Sequence, residues 1–177
     1  MRVRGVLCVC ALAAALATAL FAPGSESGAV TTGATMVRVV DGDTVEVELA
    51  NGKRRSVRLI GIDTPETVRP GTPIECGGPA ASKRLHRFEG AGVRLISDPT
   101  QNGVDRYGRL LRYVVTTERV DLGKSQIGAG LASVYIYDDP FRRLATYERQ
   151  AEIAKAAGRG VWGDCGGAFH KPRLAGG

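Results

Sequence analysis

Beyond residue 35, apolar residues alternate with polar ones. Val37 and Val39, then Val45, Val47 and Leu49, are each separated by a polar or turn residue, and the rhythm resumes at Val57, Leu59 and Gly61. A period of two is the signature of strands with one buried face. Asn51-Gly52 between the second and third runs has hairpin-turn composition, so the stretch predicts a meander of three antiparallel strands. A Pro- and Gly-rich loop from Thr64 to Gly78 interrupts the pattern. Pro79 then opens a short helix with Ala81, Leu85 and Phe88 on one face, and Gly90 stops it. Val93 and Leu95 predict a fourth strand ending at Asp98-Pro99, and after a polar loop from Gln101 to Tyr107 the run from Leu110 to Val115 predicts a fifth.

Five strands with a helix between the third and fourth follow the order of an OB-type barrel, an α+β fold that is mainly β. Asp121 is placed to cap a weak second helix containing Gly123 and Gly128. Asp139-Pro140 is placed to open a stronger third, with Leu144, Tyr147, Ala151 and Ala154 on one face and Gly158 at its end. About three helices are therefore expected, in a barrel domain spanning 36–165. A flexible segment is expected at 30–35 and a disordered tail at 166–177.

The first 29 residues belong to a different regime. Arg2 and Arg4 precede an apolar run from Gly5 to Ala22, and a Pro/Gly/Ser stretch follows, the order of a secretory signal that is removed. Ser27 and Ala29 suggest one cleavage point, Ala17 and Ala19 another; the alternative is an uncleaved membrane anchor. The expected location is extracellular. Removing 1–29 takes away Arg2, Arg4 and Glu26, two positive charges and one negative, so a chain of formal charge +6 retains +5. The basic balance belongs to the folded part and favours an acidic partner such as nucleic acid or anionic lipid. Cys8 and Cys10 leave with the signal, and Cys76 and Cys165 remain. In an oxidising compartment they predict one disulfide, the alternative being two separately buried thiols. Four Cys and two His are too few for a convincing thiolate–zinc or haem site.

The candidate chemistry lies in three short stretches. Asp43 starts a strand within Val39-Val40-Asp41-Gly42-Asp43-Thr44-Val45. The run Arg58-Leu59-Ile60-Gly61-Ile62-Asp63-Thr64-Pro65-Glu66 places one arginine and two carboxylates close together, and Asp105-Arg106-Tyr107-Gly108-Arg109 supplies the third. From about Met36 to Trp162, these stretches in this order and spacing resemble the thermonuclease, or staphylococcal-nuclease-like, family.

The resemblance implies a set of roles. Asp43 and Asp63 match calcium-binding carboxylates, with the Thr64 backbone carbonyl as a further ligand. Glu66 matches the residue assigned as general base, and Arg58 and Arg109 the two arginines on the scissile phosphate. Arg106 and Tyr107 fit phosphate-facing or base-stacking positions. Tyr135 and Tyr137 match a Y-x-Y pair lining the nucleotide pocket, once a one-residue deletion after Gly130-Leu131-Ala132 is allowed, and core filling remains open for either. The implied activity is secreted, Ca²⁺-dependent hydrolysis of DNA and RNA by in-line water attack, single strands favoured, leaving 3′-phosphate and 5′-hydroxyl ends. A monomer is expected.

Elementary chemistry agrees with these roles. Hard oxygen donors suit Ca²⁺, and an arginine fork offers paired N–H donors to phosphate oxygens. Other readings compete. Asp41 is read as a turn residue, since Asp-Gly is common turn chemistry, and His86 and His170 as ordinary surface residues. Asp63 and Glu66 as a glycosidase pair fit poorly with the basic balance and the lack of aromatic sugar platforms. The second-ranked function is a non-catalytic OB-fold module that binds nucleic acid.

Overall fold

A computed structural model describes residues 28–67, 71 and 73–170. Apart from Gly28 and Ala29, the expected signal segment lies outside the described residues, as do residues 171–177 of the expected tail. No helix among the described residues is long and apolar enough to cross a membrane.

The meander consists of β1 (Thr31–Asp41), β2 (Thr44–Leu49) and β3 (Arg54–Leu59), paired antiparallel in sequence order. The helix α1 (Gly78–His86) leads into β5 (Gly92–Ile96) and then β6 (Leu110–Thr116), numbered to leave room for the short strand β4 (Ile62–Asp63). β6 pairs antiparallel with β5 and parallel with β3, while β5 returns to the first half of β1, closing a five-stranded barrel of OB type. Met36, Val45, Val47, Val57, Leu95 and Val114 fill its interior. Val45, Val47 and Val57 lie on the inward face that the period of two defines, whereas Met36 points inward because a register shift between Met36 and Arg38 interrupts the alternation expected from Val37 and Val39.

Several boundaries differ from the sequence expectation. β1 begins at Thr31, so residues 31–35, expected to be flexible, pair with Thr31↔Ile96 through Thr35↔Gly92. Most of that end of β1 is exposed, so burial imprinted no alternation on it. Gly61 does not continue β3. It turns the chain at φ +79°, and a Cβ there would run into the Phe141 ring. The chain then forms β4, which pairs with β7 (Ser133–Val134) in a separate two-stranded sheet.

Among the described residues there are four helices, where about three were expected. α2 (Leu122–Gly128) is capped by Asp121, which accepts a hydrogen bond from the Lys124 N–H at 3.0 Å. α3 is Leu144–Ala156, starting four residues after Pro140, because Phe141 is spent in the core. The additional helix, α4 (Val161–Asp164), buries Val161. Gly123 has a packing role: a Cβ there would lie 2.8 Å from the Tyr147 hydroxyl, so its small size lets α2 approach α3 closely.

Cys76 and Cys165 form a disulfide, with Cα atoms 6.1 Å apart, fastening the end of α4 to the loop before α1. Residues 166–170 of the expected disordered tail are packed onto the domain. The Gly167 N–H donates to the Val161 carbonyl at 2.8 Å, and buried Phe169 meets the Trp162 ring edge-on at 5.1 Å between centroids.

Candidate active site

Barrel closure brings the three chemical stretches to one rim. Asp43 stands in the turn between β1 and β2, Arg58 near the end of β3, Asp63 in β4 and Arg109 just before β6. Thr64 and Glu66 follow β4. All six line one open cleft of about 1120 Å³, together with Arg106, Tyr107, Tyr135 and Tyr137.

Arg58 is the hub. Its Nη1 donates to the carbonyl of Ile62 at 2.8 Å and to that of Leu59 at 3.1 Å. Its Nη2 lies 3.0 Å from Asp43 Oδ2 and 3.1 Å from Asp63 Oδ1, so one nitrogen serves two carboxylates. Two peptide carbonyls and two carboxylates leave the guanidinium little rotational freedom, which is how a flexible side chain becomes preorganised. Asp43 is only 7% exposed, and its Oδ2 also faces the Thr64 N–H at 3.4 Å and the Thr64 hydroxyl at 3.3 Å.

The surroundings carry excess negative charge. Burial pushes the Asp63 carboxyl above its ordinary range; Arg58 pulls it back, and Asp43 and Glu75 push it up again. Asp41 is also pushed up by burial, against hydrogen bonds from Thr67 and the Gly42 N–H, with the neighbouring Asp43 and Glu66 carboxyls adding to the rise. A site whose carboxylates resist ionisation in this way is suited to a cation. Among the described residues no group of three His, Cys, Asp or Glu converges on one point. Asp43 and Asp63 therefore offer a sparse oxygen shell, to be completed by water and ligand oxygens, and that donor set fits a hard divalent ion with tolerant geometry such as Ca²⁺.

Just before β6, the strand that pairs with β3, Arg109 Nε donates to Asp105 Oδ2 at 2.6 Å, and Asp105 Oδ1 accepts the Tyr107 and Arg109 N–H groups at 2.9 Å each. Burial alone would raise the Asp105 carboxyl, but the hydrogen bonds from Arg109 and Tyr107 outweigh it and hold it below its ordinary range. The exposed Tyr107 ring lies between two cations, 4.8 Å from Arg106 and 5.2 Å from Arg109. Tyr135 and Tyr137 are 43% and 64% exposed, with ring centroids 6.4 Å apart, so neither fills the core.

Four contributors had no signal in the sequence motifs. Asp41 does accept the Gly42 N–H within its turn at 2.8 Å, but it is also buried under the site and takes the Thr67 hydroxyl at 2.6 Å. Gln126 of α2 donates to the carbonyls of Gly42, at 2.7 Å, and Ala81, at 2.9 Å, tying the Asp41–Asp43 turn to α1. Glu75 accepts the Glu66 N–H at 2.7 Å, and His170, read as a surface residue, reaches both Glu75 and Asp63.

Barrel, rim cleft and a carboxylate–arginine set together define an OB-fold protein whose charged side chains gather in one cleft. Residues 56–164 match the family described as staphylococcal nuclease homologue, and the chain belongs to that family. It is 34% identical over 128 residues to a thermonuclease of Staphylococcus hyicus, a match covering 72% of this chain and 73% of that protein. A thermonuclease of Staphylococcus intermedius is 36% identical over 127 residues, covering 71% and 73%. Endonuclease YncB of Bacillus subtilis (strain 168) is 32% identical over 133 residues, covering 75% of this chain and 62% of the relative.

Proposed function

We propose that the protein is a nuclease that hydrolyses phosphodiester bonds in DNA and RNA, dependent on Ca²⁺ and acting outside the cell. The observation that carries this reading is the convergence on one cleft of two oxygen-ligand aspartates, a glutamate and two arginines from three separate stretches of chain. Asp43, Asp63 and the Thr64 carbonyl would hold the metal, which when bound would neutralise charge on a phosphate oxygen. Glu66 orients or deprotonates a water for in-line attack on phosphorus. The anchoring of its own N–H by Glu75 fixes where its side chain starts. Arg58 and Arg109 take up the charge that develops on the equatorial oxygens, and the 5′-oxygen leaves, giving 3′-phosphate ends.

Recognition rests on phosphate and on stacking. The cleft offers Arg106, Arg109 and the exposed rings of Tyr107, Tyr135 and Tyr137, and stacking on aromatic faces tolerates any base. Single-stranded or breathing regions present bases to such rings and are cut faster. Water as nucleophile makes a 2′-hydroxyl unnecessary, which supports cleavage of both DNA and RNA. The N-terminal signal pattern supports export, and a monomer suffices because one chain supplies every group named.

The test is a cleavage assay on single-stranded DNA and RNA with Ca²⁺ or with EGTA, comparing the parent with Glu66→Gln and Arg58→Lys. Cleavage should vanish in EGTA. Glu66→Gln should keep binding but lose about 10²–10⁴ in rate, and Arg58→Lys should lose at least about 10² because an ammonium cannot replace the fork. Undiminished cleavage by Glu66→Gln or in EGTA rejects the mechanism, and binding without cleavage by the parent selects the non-catalytic module.

A further inference from the structure

Two observations about the end of the described chain belong together. His170 stands 95 residues beyond Glu75, yet its Nδ1 lies 3.1 Å from Glu75 Oε2 and its Nε2 3.3 Å from Asp63 Oδ2. It is brought there by the disulfide at Cys165 and by Phe169 packing on Trp162. The imidazole thus stands between two carboxylates with one ring nitrogen toward each, donating from at least one of them.

Each carboxylate has a second job. Asp63 presents Oδ1 to Arg58, so with His170 on Oδ2 both of its oxygens are fixed. Glu75, whose side chain is only 12% exposed, uses the same Oε2 to accept the Glu66 N–H. A continuous chain of contacts therefore runs Arg58–Asp63–His170–Glu75–Glu66. It ties the chain end at His170 to the segment from Asp63 to Glu66, which Glu75 also holds through the backbone, its N–H donating to the Glu66 carbonyl at 3.0 Å.

We propose that His170 is a positioning residue for the proposed nuclease site. It steadies the Asp63 carboxylate from the Oδ2 side and Glu75 from the side away from Glu66, and the Cys76–Cys165 disulfide places it there. This rests on the reading of Asp63 as a metal ligand and Glu66 as the residue acting on water. Groups that orient metal ligands from outside the ligand shell change affinity or activity about 10–100-fold when removed. A ring 54% exposed contributes less than a buried one, so its effect is expected to fall below that range.

The experiment measures Ca²⁺ affinity by calorimetry, and kcat and KM on single-stranded DNA, for the parent, His170→Ala, His170→Gln and Asp63→Asn. His170→Ala should weaken Ca²⁺ binding about 3–10-fold and lower kcat by a similar factor, with KM and the thermal midpoint nearly unchanged. His170→Gln keeps a polar side chain able to donate beside the Asp63 and Glu75 carboxylates and should recover most of the Ca²⁺ affinity. In a Cys76→Ser/Cys165→Ser background the His170→Ala change should cost less than about two-fold, because residues acting in series are not additive. If that background does not fold, the Ala and Gln variants decide. His170→Ala within two-fold of the parent in both Ca²⁺ affinity and kcat overturns the proposal, provided Asp63→Asn loses both. If Asp63→Asn itself binds Ca²⁺ and cleaves like the parent, the site reading fails instead.

Discussion

Replacing Cys76 and Cys165 with serine removes a cross-link between residues 89 apart. On the chain-entropy account, opening a loop of that size returns about 4–5 kcal/mol of freedom to the unfolded chain. The folded side loses little, since buried Val161, the Trp162–Phe169 contact and the Gly167 hydrogen bond to Val161 remain to hold α4. Against a typical total of about 5–15 kcal/mol, the change is large. With a urea m-value of about 1.5 kcal/mol/M, it moves the midpoint down by about 3 M, and m itself should rise because the unlinked unfolded chain exposes more surface. Equilibrium unfolding should be followed by far-UV circular dichroism and by fluorescence of Trp162, the single tryptophan, which sits in α4 beside the bond. Coincident transitions at a lower midpoint are expected. A loss under about 1 kcal/mol with unchanged m would refute the reasoning, and a fluorescence transition preceding the dichroism would mean that the bond staples α4 alone.

Other outcomes follow from single contacts. Gln126→Leu strips the Gly42 and Ala81 carbonyls of a donor, at about 1–3 kcal/mol, partly offset because Gln126 Oε1 is itself buried without a partner among the described residues; urea unfolding should show the net loss, and cleavage should fall further than stability because Gly42 lies between Asp41 and Asp43. For Asp98, 3% exposed, burial would raise the carboxyl, but hydrogen bonds from Tyr113, from Thr100 and from the Arg142 N–H win and hold it below its ordinary range. A depressed folded value means stability that is complete above about pH 4 and drains as the pH falls through the folded value, so unfolding free energies measured from pH 6 to 3 should decline less steeply in Asp98→Asn than in the parent. Gly123→Ala improves helix propensity by about 1 kcal/mol but forces a Cβ to within 2.8 Å of the Tyr147 hydroxyl; the clash, about 1–3 kcal/mol, should win and lower the thermal midpoint.

The sequence made some features legible because each leaves a local trace. The barrel strands show through the alternation at Val45, Val47, Val57 and Leu59, since one face is buried. Asp43, Arg58, Asp63, Glu66 and Arg109 stand out because their spacing is tied to turns between strands. What escaped has no local trace. β4 and β7 are two residues each, too short for a period to register. Glu75 and His170 become neighbours only through a cross-link and an aromatic contact far from the motifs. Gly123 and Gly128 look like weak points in a helix, but both mark close approach to α3, at Tyr147 and Gln150. Propensity measures an isolated helix, whereas the contact is tertiary.

The parallel pairing of β3 with β6 has a consequence for the order of events in folding. Arg58 is flanked in the sheet by Thr44 on one side and Leu111 on the other, so it sits on the seam where the barrel shuts. The meander can form from near neighbours, but the seam waits for a strand more than fifty residues downstream, and such distant pairings are slow because the loop entropy is lost before any contact repays it. Arg109 arrives on that same late strand's leading edge. A chain still emerging, or one opened at the seam, therefore has its carboxylates on one side and its second arginine elsewhere, and carries no assembled cleft. In a refolding experiment the recovery of cleavage should lag the formation of the β1–β3 meander and coincide with closure, which makes activity a reporter of the last step rather than of the first.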